Sequence, residues 1–136
     1  MNLTMALIKA DIIAAKQALD YYENHKLKDI KNIAAYHLQQ ATEKLIKIQI
    51  YNKSTNYNNA SLYTHNIEKL ITYGKSLKID LIIPDYIDVN SLVITSWEAG
   101  SRYDVGFQVK VASLKKAISE INQWYDILYQ SGIRNG

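Results

Sequence analysis

An all-α fold, an antiparallel bundle of about four to five helices, is predicted by three features of this chain. Long segments repeat their apolar residues at helical spacing. Breakers are scarce: one Pro, Pro84, and five Gly at 74, 100, 106, 132 and 136. The one stretch that could form a short strand, 78–84, has nothing nearby to pair with. With 136 residues the chain fits a single domain spanning 1–136. A chain of this size buries enough surface to fold without disulfides or metal.

The first predicted helix covers about residues 2–25, where Ile8, Ile12, Ala15, Leu19 and Tyr22 recur at intervals of four and three. The second covers about 28–52, with Asp29 in its first turn, where a carboxylate suits the helix dipole. Asn-rich residues 52–61 read as a loop. A third helix is predicted over 64–77, with Ile67, Leu70 and Ile71 inward and Thr64 or His65 near its cap. Residues 78–84 form a connection in which Pro84 closes off any short strand. The fourth helix runs from near Asp85 to about Arg102, with Ile87, Leu92, Val93 and Trp97 as its apolar positions. After a break around Gly106, the fifth covers about 109–130 on a seam of Val111, Leu114, Ile118, Ile121, Tyr125 and Leu128. The long seams of the first and last helices suit either the bundle's own core or a dimer.

Composition excludes several functions. The chain has no Cys, so neither disulfides nor thiolate zinc sites exist. Sixteen Lys and Arg against thirteen acids give a net charge of +3, without the clustered basic stripe of a strong nucleic-acid binder. Lys9 and Asp11 interrupt the N-terminal apolar run, which does not read as a secretory signal. No run of about eighteen apolar residues could span a membrane. A soluble cytoplasmic protein is expected. The five Gly are isolated, so there is no glycine-rich phosphate loop. His25, His37 and His65 lack metal-ligand spacing, so no metal and no cofactor is expected. His37, at the edge of the second helix's stripe, reads as a hydrogen-bonded boundary residue.

The second helix carries the most specific pattern. Ala34, Leu38, Ala41, Leu45 and Ile48 form its apolar stripe, and Tyr36, Gln40, Glu43 and Lys47 line up on the opposite side. That polar set fits a solvated face, a buried network fixing the bundle's register, or a ligand cleft. Arg102 fits either a helical ion pair with Glu98, four residues earlier, or a clamp for phosphate or carboxylate. Tyr103 beside it could stack a base. The eleven Tyr suit core and protein interfaces better than stacking platforms.

Gln39-Gln40-Ala41-x-Glu43-Lys44-x-x-Lys47 resembles the signature of HEPN domains, small helical proteins named for nucleotide binding in higher eukaryotes and prokaryotes. Thr64-His65-Asn66-Ile67-x-x-Leu70 is similar to that family's Thr-His-Asp-Leu element, with Asn for Asp, and Arg102-Tyr103 to its Arg-Tyr-Pro element, with Asp104 for Pro. The resemblance implies a helical bundle that forms a homodimer, pairs with a small nucleotidyltransferase-like partner in a toxin–antitoxin-type system, and binds a nucleotide or RNA. Some members are metal-independent ribonucleases with an Arg and a His separated by four to six residues. Arg102 is the Arg candidate, but the expected His positions hold Phe107, Gln108 and Val109, and no His follows His65. The expectation is therefore a non-catalytic interaction module with Arg102, Tyr103, Tyr36, Gln40, Glu43 and Lys47 as its binding residues. The alternatives are a divergent ribonuclease using Arg102 and a ligand-free structural adaptor.

Overall fold

The structure, a computed structural model, describes residues 3–103 and 108–136, with 101–103 described by backbone alone. Among the described residues the regular elements are seven helices: α1 (Met5–His25), α2 (Lys28–Lys53), α3 (Asn59–Leu62), α4 (Ile67–Ser76), α5 (Asp85–Val89), α6 (Ser91–Tyr103) and α7 (Val111–Gln130). The fold is a helical bundle. No helix among the described residues is long and apolar enough to cross a membrane.

α2 is the central helix, packed by α1, α4, α6 and α7. Its stripe of Ala34, Leu38, Ala41, Leu45 and Ile48 is fully buried. Ile8, Ile12, Ala15 and Leu19 of α1 and Leu114, Ile121, Tyr125 and Leu128 of α7 are buried in the same core. The two long seams are thus used largely within the chain's own core. α1 starts where the Thr4 hydroxyl accepts from the Leu7 N–H, and ends at Lys26, whose φ of 55° turns the chain out of the helix.

Two predicted elements differ in the structure. The segment expected as one helix over 85–102 is broken at Asn90. There the Asn90 side-chain amide and backbone N–H both donate to the Tyr86 carbonyl, while the Asn90 carbonyl accepts from Ile94 to start α6. The break resets the helical phase. Ser91, Ile94, Trp97 and Glu98 turn inward, whereas Leu92 and Val93 are 61% and 53% exposed. The third predicted helix begins later than expected, as α4, because Asn66 is its cap, its side chain accepting from the Lys69 N–H. One turn, α3, forms at the end of the Asn-rich loop, capped by Asn58.

The connection over 78–84 forms no strand, yet its backbone is satisfied as a strand's would be. Buried Gln49 donates from Nε2 to the Ile82 carbonyl at 3.0 Å and accepts the Ile82 N–H at 2.8 Å. The indole of buried Trp124 donates to the same carbonyl at 2.9 Å. Two core side chains thus satisfy both backbone groups of Ile82 in an irregular segment.

Candidate functional site

Glu43 is the centre of the polar face of α2. Its side chain is 6% exposed, so its charge requires partners. Oε2 accepts from Lys47 Nζ at 3.0 Å, one helical turn away. Oε1 accepts from Gln39 Nε2 at 3.3 Å and lies 2.8 Å from Nδ1 of His65. A carboxylate can only accept, so Nδ1 is the protonated nitrogen of that ring. This hydrogen bond leaves Nε2 as the nitrogen that faces outward.

His65 sits in the short stretch between α3 and α4, with no helix beneath it. Two contacts to α2 hold it there. Its ring is tied to Glu43, and its backbone carbonyl accepts from Gln39 Nε2 at 3.1 Å. Gln40 completes the chain by donating to Gln39 Oε1 at 2.7 Å. Gln39 therefore spends both amide protons and accepts one, a fully used side chain. The following residues hold the segment in register with α6, where Thr95 Oγ1 accepts the Ile67 N–H at 2.9 Å.

A pocket of about 350 Å³ opens at this point, and its lining among the described residues is Lys47, Tyr63, Thr64 and His65. His65 is 62% exposed on the pocket side, and the Tyr63 ring, 94% exposed, forms a lip. The floor is thus an ion pair, the wall an oriented imidazole, and the rim an aromatic ring free to meet a planar group.

Of the residues predicted from the sequence, Gln40, Glu43 and Lys47 belong to one network. Lys47 enters it already paired with Glu43, so it is not an uncompensated cation. The half-buried Tyr36 ring packs edge-on to His37 at 5.4 Å. Arg102 and Tyr103 occupy the last turn of α6, and their side chains lie outside the described residues. Gln39 and His65 are the members of that network that face-by-face reading left out. The spacing of four between Gln39 and Glu43 was the available signal for the first. Nothing local signals the pairing of Glu43 with a residue twenty-two positions later.

A second buried carboxylate lies on the α1 side of α2. Asp11 meets His37 Nδ1 at 2.9 Å and Lys44 Nζ at 2.7 Å. Burial works to raise its pKa, but the hydrogen bonds and charges of His37 and Lys44 outweigh it and hold the carboxyl below its ordinary value. His37 is thus the hydrogen-bonded boundary residue expected. Among the described residues no group of His and carboxylates has the makings of a metal site.

No family model matches the chain, and no curated protein or solved structure matches it at a significant level.

Proposed function

We propose that this protein is a HEPN-like interaction module that binds the phosphate-bearing end of a nucleotide or RNA at the Glu43–Lys47–His65 pocket. The observation that carries the reading is the built character of that pocket. A buried carboxylate orients one imidazole and one ammonium toward an opening rimmed by an exposed aromatic ring. Pairing of Lys47 with Glu43 tempers the pull on an incoming phosphate, which gains mainly from the remaining ammonium hydrogens of Lys47 and the polar rim of the pocket. Exposed Val89, Leu92 and Val93, neighbours on α5 and α6, supply an apolar surface for a homodimer. The resemblance of the helix-two signature adds a nucleotidyltransferase-like protein as a further partner, in a toxin–antitoxin-type system.

The test is anisotropy of a labelled short RNA and of a labelled nucleoside triphosphate, at low and high salt. Binding that weakens with salt and is lost in both Lys47→Ala and His65→Ala supports the reading. Binding untouched by either substitution removes it. For assembly, sedimentation is expected to give about twice the 15.6 kDa monomer mass. A monomer at every concentration refutes the dimer.

One observation favours a second reading, a divergent ribonuclease. With Nδ1 committed to Glu43, His65 presents Nε2 as a general base in an open pocket, the usual arrangement of an oriented catalytic imidazole. Arg102 would then stabilise developing phosphate charge, which an Arg can do while being unable to exchange protons. Incubation with mixed RNA in EDTA separates the readings. Cleavage that survives repurification and vanishes in His65→Ala promotes the enzyme. Binding without cleavage keeps the module.

A further inference from the structure

α1 and α7 run antiparallel, as the contacts of Lys9 with Asn122 and of Glu23 with Lys115 require. Between their outer faces lies an open groove of about 580 Å³, formed by residues distinct from those of the Glu43 pocket. Its walls are largely apolar, with Ala6, Ala10 and Ile13 on one side and Tyr125 and Tyr129 on the other. Two cations stand in it. Lys9 donates to Asn122 Oδ1 at 3.0 Å and lies 5.0 Å from the centre of the Tyr125 ring. The Arg134 guanidinium stacks on Tyr129, 3.4 Å from the ring centre, and its Nη1 donates to the carbonyls of Tyr129 and Ile133.

These cations differ from those that are held in ion pairs. Lys44, Lys47, Lys115 and Lys116 each meet a carboxylate, whereas among the described residues neither Lys9 nor Arg134 does. Arg134 is also fixed in place. Its carbonyl accepts from the Met5 N–H at 2.7 Å, and Gly136 N–H donates to Leu3 at 2.8 Å, so the tail is laced to the start of α1. With Nη1 committed to carbonyls, Nη2 and Nε remain as donors on a preorganised plane.

We propose that this groove binds a small organic anion, a carboxylate or phosphate ester carried on a flat apolar body. Lys9 and Arg134 take the anionic group. The body lies along the wall of Ala6, Ala10 and exposed Ile13, where the two alanines leave room. The volume suits a small ligand, and a cation already resting on an aromatic ring keeps its charge available to the anion.

The experiment is a titration of the intact chain, followed by amide chemical shifts, with phenyl phosphate, benzoate and the neutral benzyl alcohol. Both anions are expected to saturate with Kd about 1 mM or tighter, and benzyl alcohol about tenfold weaker or not at all. Shifts should centre on α1 and α7. The relative strength of phenyl phosphate and benzoate assigns the anionic group. Lys9→Met, which keeps the apolar stem, and Arg134→Leu should each weaken the anions about tenfold while leaving thermal unfolding of the protein unchanged. Three results overturn the proposal: equal binding of the neutral probe, anion binding indifferent to both substitutions, or shifts centred on His65 and Lys47. Should Arg134→Leu loosen the tail, Lys9→Met alone decides.

Discussion

Two buried carboxylates flank α2, and each is shared between one Lys and one His. Asp11 binds His37 and Lys44; Glu43 binds His65 and Lys47. The chemistry is the same and the surroundings are not. In the Asp11 cluster the imidazole and ammonium are both about a third exposed, and all three groups sit between two long helices that already pack tightly. That cluster ties α1 to α2 and has no pocket beside it among those described. In the Glu43 cluster the carboxylate is more buried, while its imidazole stands on an irregular segment and opens onto a cavity. A carboxylate–Lys–His set is therefore a staple or a site according to which member reaches solvent. Local composition does not decide the matter; the element that carries the His does.

The comparison has an apolar yardstick. Leu45 is fully buried in the α2 stripe, and Leu45→Ala is expected to cost about 2–5 kcal/mol in urea unfolding with an unchanged m-value. A change within about 0.5 kcal/mol would place Leu45 on the surface and undo the packing described for α2.

The two carboxylates come next. Glu43→Ala strands the Gln39 amide and the largely buried Lys47 ammonium, and is expected to cost about 3 kcal/mol. Asp11→Ala leaves His37 and Lys44 near enough to water to be rehydrated, and should cost about 1–2 kcal/mol. Equal losses, or a larger loss at Asp11, would reverse the ranking of the two clusters.

Acid unfolding sharpens the Asp11 side. The folded-state pKa of Asp11 lies below its unfolded value of about 3.9. Its contribution to stability is therefore complete above the unfolded value and disappears as pH falls through the folded one. Asp11→Asn should flatten the loss of stability measured as pH falls from about 5 through the folded value. Parallel acid limbs in the two proteins would show that Asp11 does not bring that dependence.

Much of this architecture was legible in the chain because it is local. The stripe of α2 and the seams of α1 and α7 repeat within one helix, and periodicity alone places them. Gln40, Glu43 and Lys47 were legible as one face for the same reason. What local spacing could not carry was competition and distance. Asn90 ends α5 because a side-chain amide competes for a backbone carbonyl, which no hydrophobic pattern encodes. Gln49 serves Ile82, and Glu43 serves His65, across loops whose course is set by the whole bundle. Arg102 and Tyr103, prominent in the sequence, have side chains outside the described residues.

The smallest stability effect should fall on a residue to which the proposed function gives an essential part in binding. His65 is exposed, and it stands on a segment that Gln39 holds through the backbone, whatever the side chain. His65→Ala removes one exposed ring and leaves Glu43 still bonded to Lys47 and Gln39, so the cost should be below about 1 kcal/mol. His37→Ala removes a ring packed against Tyr36 and bonded to Asp11, and should cost somewhat more, about 1 kcal/mol. Ligand binding should show the opposite order. His65→Ala should abolish the salt-sensitive binding of RNA or nucleotide, while His37→Ala, on the other flank of α2, should leave it within about twofold. Urea titration and anisotropy on the same two variants make the test. Binding lost in His37→Ala and kept in His65→Ala would exchange the roles assigned to the two clusters.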